Sequence, residues 1–313
     1  YIQIVQKGIL VLVMSARILA FGEVLWDVFD HAKRLGGAPL NFALHARRIG
    51  HESILISAVG EDELGAAARA ALQGLGMDSP YIQTTSLYPT GTARVQLGED
   101  GQVRFKIHRP AAYDDIHLSR HDLEELAAWG PDWLYFGTLS SMVNNSRSLL
   151  FNLIEALPQA RRFYDVNLRP DSYTPELVAE LAERAEVVKM NREEMLEISR
   201  VFDLCADSIE KFCRKAAARY GWQAVAVTLG EQGCGVWVDG AFAEVAGIPV
   251  TVVDTVGAGD AFSAAFVHGL SLGWSPRKIG ELANRVGALV ASRPGGTPEW
   301  SIEEVEQVQI RAE

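Results

Sequence analysis

The fold class this sequence predicts is α/β, with a central, mostly parallel sheet flanked by helices on both faces. Three observations lead there. Short, continuous apolar runs alternate with helical stretches along the chain, the pattern of strands buried on both sides. Of the 313 residues 48% are apolar, enough for one large core, and no repeat or Pro/Gly/Ser-rich linker divides them. One segment, 92–108, alternates apolar and polar residues instead, which marks a hairpin with one face in solvent.

Taken in order, residues 15–21 read as the first buried strand. Residues 1–17 are expected to be an N-terminal extension outside the fold, ahead of a single domain over 18–313. The apolar run 8–14 is far too short to cross a membrane. Further strands are expected at 53–59, 133–136, 163–166, 187–190 and 224–229, and helices at 63–75, 119–129, 146–157, 175–184 and 208–220 from their periodicity. Within 92–108 the turn falls at Gly98-Glu99-Asp100-Gly101. An antiparallel hairpin in a parallel chain lies at the edge of the main sheet or outside it, either as a flap over a site or as plain edge decoration.

Lys and Arg number 29 against 40 Asp and Glu, a net charge of −11 at pH 7. Such a surface repels nucleic-acid backbones and anionic membranes, so small molecules are the expected partners. An anionic ligand then needs a local device such as backbone amides at a helix start. Cys205, Cys213 and Cys234 have neither C-x-x-C spacing nor an even count, which predicts no zinc site and no disulfide framework, only inert thiols in a reducing cytoplasm.

The densest chemical signal is Thr251-Val252-Val253-Asp254-Thr255-Val256-Gly257-Ala258-Gly259-Asp260-Ala261-Phe262-Ser263, followed by an apolar helical run to Leu272. Glycines at a helix start leave unpaired amides open to phosphate oxygens. Asp260, in the first turn, can accept a proton from an attacking hydroxyl. The same residues also suit a capped, closely packed helix. No Walker loop, dinucleotide fingerprint or protein-kinase motif set occurs in the chain.

A second cluster, Gly36-Gly37-Ala38-Pro39-Leu40-Asn41, opens a helix that Gly50 closes. Gly36 and Gly37 let a polyol touch backbone, and Asn41 offers both donors and acceptors. An ordinary capped helix fits equally well. Upstream, Gly22-Glu23-Val24-Leu25-Trp26-Asp27 ends the first strand with carboxylates suited to sugar hydroxyls.

Together these clusters resemble the paired signatures of the ribokinase-like, or PfkB, carbohydrate kinase family. G-G-x-x-x-N-x-A lies near the start and D-T-x-G-A-G-D near the end, and the similarity spans about residues 18–298. The resemblance implies a ribokinase-like fold with a small β-sheet lid including about 92–108, and transfer of the ATP γ-phosphate to a sugar hydroxyl with Mg²⁺. It implies that Asp260 is the base, with an anion hole formed by the amides of Gly257, Ala258 and Gly259. Asp27, Gly36, Gly37 and Asn41 match the sugar end. Asn191 and Glu194 match N-x-x-E, which organises Mg²⁺ through water, and Thr228, Gly230, Gly233 and Asn284 match the nucleotide pocket. Asp254 resembles a ligand of the monovalent-cation (K⁺) site of some members, although Glu299 stands where that site often has a small residue. The chain looks most like the fructokinase branch. Arg109 and Arg169 also suit the carboxylate of an acidic sugar, as in 2-keto-3-deoxygluconate kinases; alternatively Arg169 suits a phosphate clamp and Arg109 an exposed flap position. Other sugar or nucleoside kinases and a non-catalytic sensor on the same scaffold are the competing readings. A homodimer paired through the lid edges is the expected assembly if one forms.

Overall fold

The protein is described by a computed structural model covering residues 2–6, 9–13, 15–77, 79–97, 103–204 and 206–308. Among these residues the main sheet has nine strands. Their spatial order is Ala241–Ala246, Gly233–Val238, Ala224–Thr228, Val187–Asn191, Arg161–Asp165, Trp133–Gly137, Arg17–Phe21, Glu52–Gly60 and Ile82–Thr85. From Ala224–Thr228 to Ile82–Thr85 every pairing is parallel, and the two strands at the other edge are antiparallel.

The apolar runs form strands because both faces are covered. Ile18 and Ala20 pack into one apolar layer with Phe42, Phe262 and Phe266, while Leu19 and Phe21 enter the opposite layer with Leu150, Leu181 and Phe212. Alternate side chains of one strand thus feed two cores, as a doubly covered sheet demands. The expected helices form as Glu63–Gly74, Arg120–Trp129, Asn144–Ala156, Pro175–Arg184 and Ile209–Tyr220. Ser119, Thr174 and Ser208 cap three of them by accepting a main-chain N–H, which makes those boundaries visible in the sequence. The main sheet begins at Arg17 and Ala16 is already buried, so the expected boundary at 18 falls inside it. Ahead of it, Ile2–Gln6 and Ile9–Val13 pair antiparallel with each other.

The expected hairpin belongs to a separate four-stranded sheet ordered Lys33–Gly36, Leu25–Val28, Gly91–Leu97, Val103–His108. The last two strands pair antiparallel from Thr92↔His108 to Leu97↔Val103. The turn at 98–101 and Cys205 lie outside the described residues. Cys213 and Cys234 are buried free thiols. No helix among the described residues is long and apolar enough to cross a membrane.

Phe21, Gly137, Asp165, Asn191 and Thr228 all end parallel strands of the main sheet. The C-terminal edge where they end is the standard place for a ligand in such sheets. The small sheet meets this edge: Leu25, Asp27, Ala93 and Ile107 line the same cavity as Asn167 and Arg169.

Candidate active site

At the start of the helix Ala258–Ser271 the chain turns at Gly257, whose φ is 77°. Only glycine adopts that conformation without strain. A Cβ there would also lie 2.0 Å from the Gly296 carbonyl oxygen. The bend leaves the N–H groups of Gly257, Gly259 and Asp260 without a main-chain partner among the described residues, whereas Ala258 N–H donates to the Thr255 carbonyl at 3.3 Å. The expected anion hole is therefore corrected by one amide: Ala258 is engaged inside the turn, and Gly257 and Gly259 supply the open donors. Both line a cavity of about 190 Å³.

Asp260 borders that cavity, and Asn41 Nδ2 donates to its Oδ2 at 2.8 Å. One of its two carboxylate oxygens is thereby engaged by Asn41. Burial and then the neighbouring Asp165 charge push the Asp260 carboxyl up to about 6, against the opposing pull of Lys189 and the Asn41 hydrogen bond. Two more carboxylates share the space. Burial raises Glu23 to about 7 and Asp27 to about 6, although the Arg169 guanidinium lowers both. Among the described residues, Glu23 Oε2 and Asn41 Oδ1 are buried without a hydrogen-bond partner. Buried polar atoms of this kind are costly unless a ligand completes them. Gly37, at φ 119°, passes so close to Glu23 that a Cβ would lie 2.3 Å from its carbonyl oxygen. Gly36 pairs with Leu25 and abuts the Asp27 carboxylate. The structure thus brings Asp27, Gly37, Asn41, Arg169 and Asp260 around one opening, with Gly36 just behind it.

Beneath Asp260 sits a pair that motif reading missed. Lys189 Nζ lies 3.1 Å from Asp165 Oδ1, and that carboxylate also accepts from Ser263 Oγ at 2.9 Å and Tyr135 OH at 3.3 Å. Asp165 is fully buried. Burial works against the Lys189 charge, but Asp165, Glu194 and Asp260 outweigh it and hold the ammonium above its usual range. Lys189 lines the cavity too. The available signal was a lysine inside the otherwise apolar strand Val187–Asn191, directly across the register from Asp165.

A second cavity, of about 670 Å³, adjoins the first and shares Thr255 and Gly259 with it. Thr228, Gly230, Gly233, Val252, Phe262 and Asn284 are among its walls, so the expected nucleotide residues do meet in one place. Asn284 is present with its donors spent: Nδ2 donates to the Ala246 carbonyl at 3.0 Å and the Val245 carbonyl at 3.3 Å. It holds the end of the edge strand, just before Gly247, Ile248, Pro249 and Val250, which line the cavity.

Four expected residues are placed otherwise. Asn191 and Glu194 form a reciprocal helix cap, Asn191 Oδ1 accepting from Glu194 N and Glu194 Oε2 from Asn191 N, both at 2.8 Å. Glu194 Oε1 accepts from Leu168 N at 2.8 Å. Neither residue lines either cavity, and the two Glu194 carboxylate oxygens hold the Leu168 and Asn191 N–H groups, which sets the 167–169 loop. Asp254 does not fit a K⁺ ligand either, because its oxygens take Val256 N–H, Gly295 N–H and the Arg34 guanidinium. Arg109 does not line the cavity. It is ion-paired to Asp114 and donates to the Leu139 carbonyl at 2.8 Å.

Known proteins bear on this arrangement. Residues 9–302 match the pfkB family of carbohydrate kinases. The Escherichia coli fructokinase is 33% identical over 306 residues, which cover 90% of this chain and 95% of that one. In structure, the chain is similar to a Xylella fastidiosa fructokinase with bound ATP, at TM-score 0.82 and 23% identity, covering 94% and 98% of the two chains. It is also similar to a Thermotoga maritima 2-dehydro-3-deoxygluconokinase, at TM-score 0.79 and 20% identity over the same shares. A family match over residues 9–302, together with a relative 33% identical over 90% of the chain, means that the chain belongs to the pfkB family of carbohydrate kinases.

Proposed function

We propose that this sugar kinase transfers the γ-phosphate of ATP to fructose. The observation that carries the reading is the junction of the two cavities. A small, hydroxyl-seeking pocket and a larger cleft meet at Thr255 and Gly259, and Asp260 stands on the small side of that meeting point. In this reading fructose fills the small cavity and ATP the large one. The hydroxyl oxygen attacks the γ-phosphorus, an O–P bond forms as the bond to the ADP oxygen breaks, and the hydroxyl proton passes to Asp260 Oδ1. The amides of Gly257 and Gly259 and the helix start face the charge that spreads over the moving phosphoryl group. Lys189 adds a cation whose position the buried Asp165 fixes. Thr228, Gly230 and Gly233 border the nucleotide, and Asn284 shapes its pocket from behind. Mg²⁺ belongs to this reading as a companion of the ATP phosphates.

The charge of the small cavity favours a neutral sugar. Glu23, Asp27 and Asp260 face Arg169, while Lys189 is already balanced by Asp165. A ligand rich in hydroxyls can donate to those carboxylates and to Asn41 Oδ1, whereas an added carboxylate meets like charge. Arg169 favours the second reading, a 2-keto-3-deoxygluconate kinase, through bidentate pairing. The same proposal takes the protein to be cytoplasmic, with one kinase domain that includes the strand beginning at Arg17, and to dimerise through the small sheet if it dimerises. A panel of fructose, ribose, 2-keto-3-deoxygluconate and adenosine, followed by ADP release, tests the substrate. Fructose should give the highest kcat/KM. Preference for the acid sugar would install the second reading, and no ADP release with any of them would turn the chain into a sensor.

A further inference from the structure

The small sheet and the phosphate-facing bend are joined by one ion pair that the chemistry above does not use. Arg34 lies on Lys33–Gly36, the edge strand of the small sheet, and its Nη1 is 2.6 Å from Asp254 Oδ2. The two residues are 220 positions apart in sequence. Asp254 does more than balance a charge. Its Oδ1 accepts from Val256 N–H at 3.1 Å and its Oδ2 from Gly295 N–H at 3.0 Å, so this carboxylate shapes the turn that ends in Gly257. Arg34 is equally well connected on its own side. It pairs across the strands with Asp27, a wall of the small cavity, and its guanidinium lies over the Phe29 ring at 5.1 Å. From Asp27 through Arg34 to Asp254 and Val256, a continuous path of contacts runs from the sugar end to the open amides.

We propose that Arg34 is a positioning residue: it fastens the small sheet to the 254–257 bend, so that the sheet covering the sugar and the amides facing the phosphate adopt their working geometry together. The inference rests on the sugar-kinase reading, because only a reaction that joins two ligands benefits from ordering both halves at once. The pair is half-exposed on the arginine side. By itself it adds little to overall stability, which makes a kinetic role the better explanation for so specific a link. A cation brought by the chain also accounts for Asp254 having no vacancy for a dissolved one.

The test is a double-mutant cycle of the full chain, comprising the unaltered protein, Arg34→Ala, Asp254→Asn and the double variant, with Arg34→Lys alongside. Thermal melts verify that each folds. Arg34→Ala should lower kcat/KM for fructose about threefold to tenfold, in the lower part of the range of coupling energies for residues in contact. It should also raise the share of ATP hydrolysed without sugar transfer, a readout that a purely structural role would leave unmoved. Arg34→Lys should recover most of the loss. In the Asp254→Asn background, removing Arg34 should change kcat/KM less than about twofold. Equal losses in both backgrounds, or undiminished transfer by Arg34→Ala, overturn the proposal. If the unaltered protein phosphorylates no sugar, the proposed function falls, and the link is read instead from calorimetric affinity for a non-hydrolysable ATP analogue across the four proteins: non-additive losses support it and additive ones overturn it.

Discussion

Replacing Asp260 with asparagine separates proton transfer from binding. The Asp260→Asn side chain keeps the volume and an oxygen able to accept from Asn41 Nδ2, which lies 2.8 Å from the present carboxylate. The amides at Gly257 and Gly259 and the ATP cleft are unchanged. What disappears is the acceptor for the hydroxyl proton, an effect of about 10²- to 10⁴-fold, or roughly 3–5 kcal/mol at about 1.4 kcal/mol per decade. The fold should not suffer. Burial raises the Asp260 carboxyl from 3.8 to about 6, so the ionised form is disfavoured in the folded state. Stability falls as pH rises through that interval, and a neutral amide escapes the loss. The assay is ADP release under saturating ATP and fructose, with ATP affinity from calorimetry. Turnover should drop at least about a hundredfold with affinity held within about threefold. The unaltered enzyme adds a second, independent readout. Only the ionised carboxylate can take a proton, so kcat/KM should decline below about pH 6 by about tenfold per unit and level off above it. A variant that keeps more than about a tenth of its turnover, or a profile flat from about pH 5 to 8, would refute the assignment of Asp260 as base.

Three other outcomes follow from the same geometry. Lys189→Met should destabilise the protein by about 3–5 kcal/mol in denaturant unfolding, because fully buried Asp165 loses its counter-charge. A loss below about 1 kcal/mol would mean that the buried pair does not depend on the lysine charge. Gly257→Ala, which forces a Cβ to 2.0 Å from the Gly296 oxygen at φ 77°, should lower kcat/KM by more than about tenfold, with weaker binding of a non-hydrolysable ATP analogue. Unchanged nucleotide affinity would remove the bend from the phosphate site. At about pH 8, above the raised Glu23 value of about 7, Glu23→Gln should raise the KM for fructose and improve the relative kcat/KM for 2-keto-3-deoxygluconate about fivefold to tenfold, since one like charge leaves the pocket. An unaltered preference between the two sugars would show that Glu23 does not select the substrate.

An acid-rich protein that handles ATP has to solve its electrostatics locally. With a net charge of −11 the molecule as a whole does not attract a polyphosphate. Three carboxylates on the sugar side, Glu23, Asp27 and Asp260, sharpen the conflict. In the proposed function the attraction comes from partial charges that cost no counter-ion, namely the open amides at Gly257 and Gly259, and from Lys189, whose ammonium is held by Asp165. The same acid cluster has a second consequence. Burial and repulsion from Asp165 push Asp260 upward into the range where it is ionised at neutral pH yet basic enough to receive a proton. A lone, solvated aspartate would be a weaker base, so in the proposed reaction the crowding that opposes the nucleotide also equips the acceptor.

The parts of this design that were legible in the sequence are those set by local rules. Apolar runs locate strands buried on both faces, and Ser119, Thr174 and Ser208 mark helix starts because capping is a contact within three residues. Gly257, Gly259 and Asp260 could be read as a glycine-rich helix start because they fall within one turn. What could not be read depends on residues far apart in the chain. The strands Leu25–Val28 and Lys33–Gly36 are four residues each, too short for periodicity to show, and Gly233–Val238 carries two glycines in six residues, which disguises a strand paired on both sides next to the sheet's edge. Asp254 looked available to a cation because nothing local reveals that Arg34, 220 positions away, reaches it. Glu194 shows the converse case. A carboxylate three residues after Asn191 is as good a capping box as it is a metal motif, and only the fold reveals the Leu168 amide on its other oxygen. Motifs thus name the atoms capable of the chemistry, while the partners that tertiary contact supplies determine which of those atoms stay free to perform it.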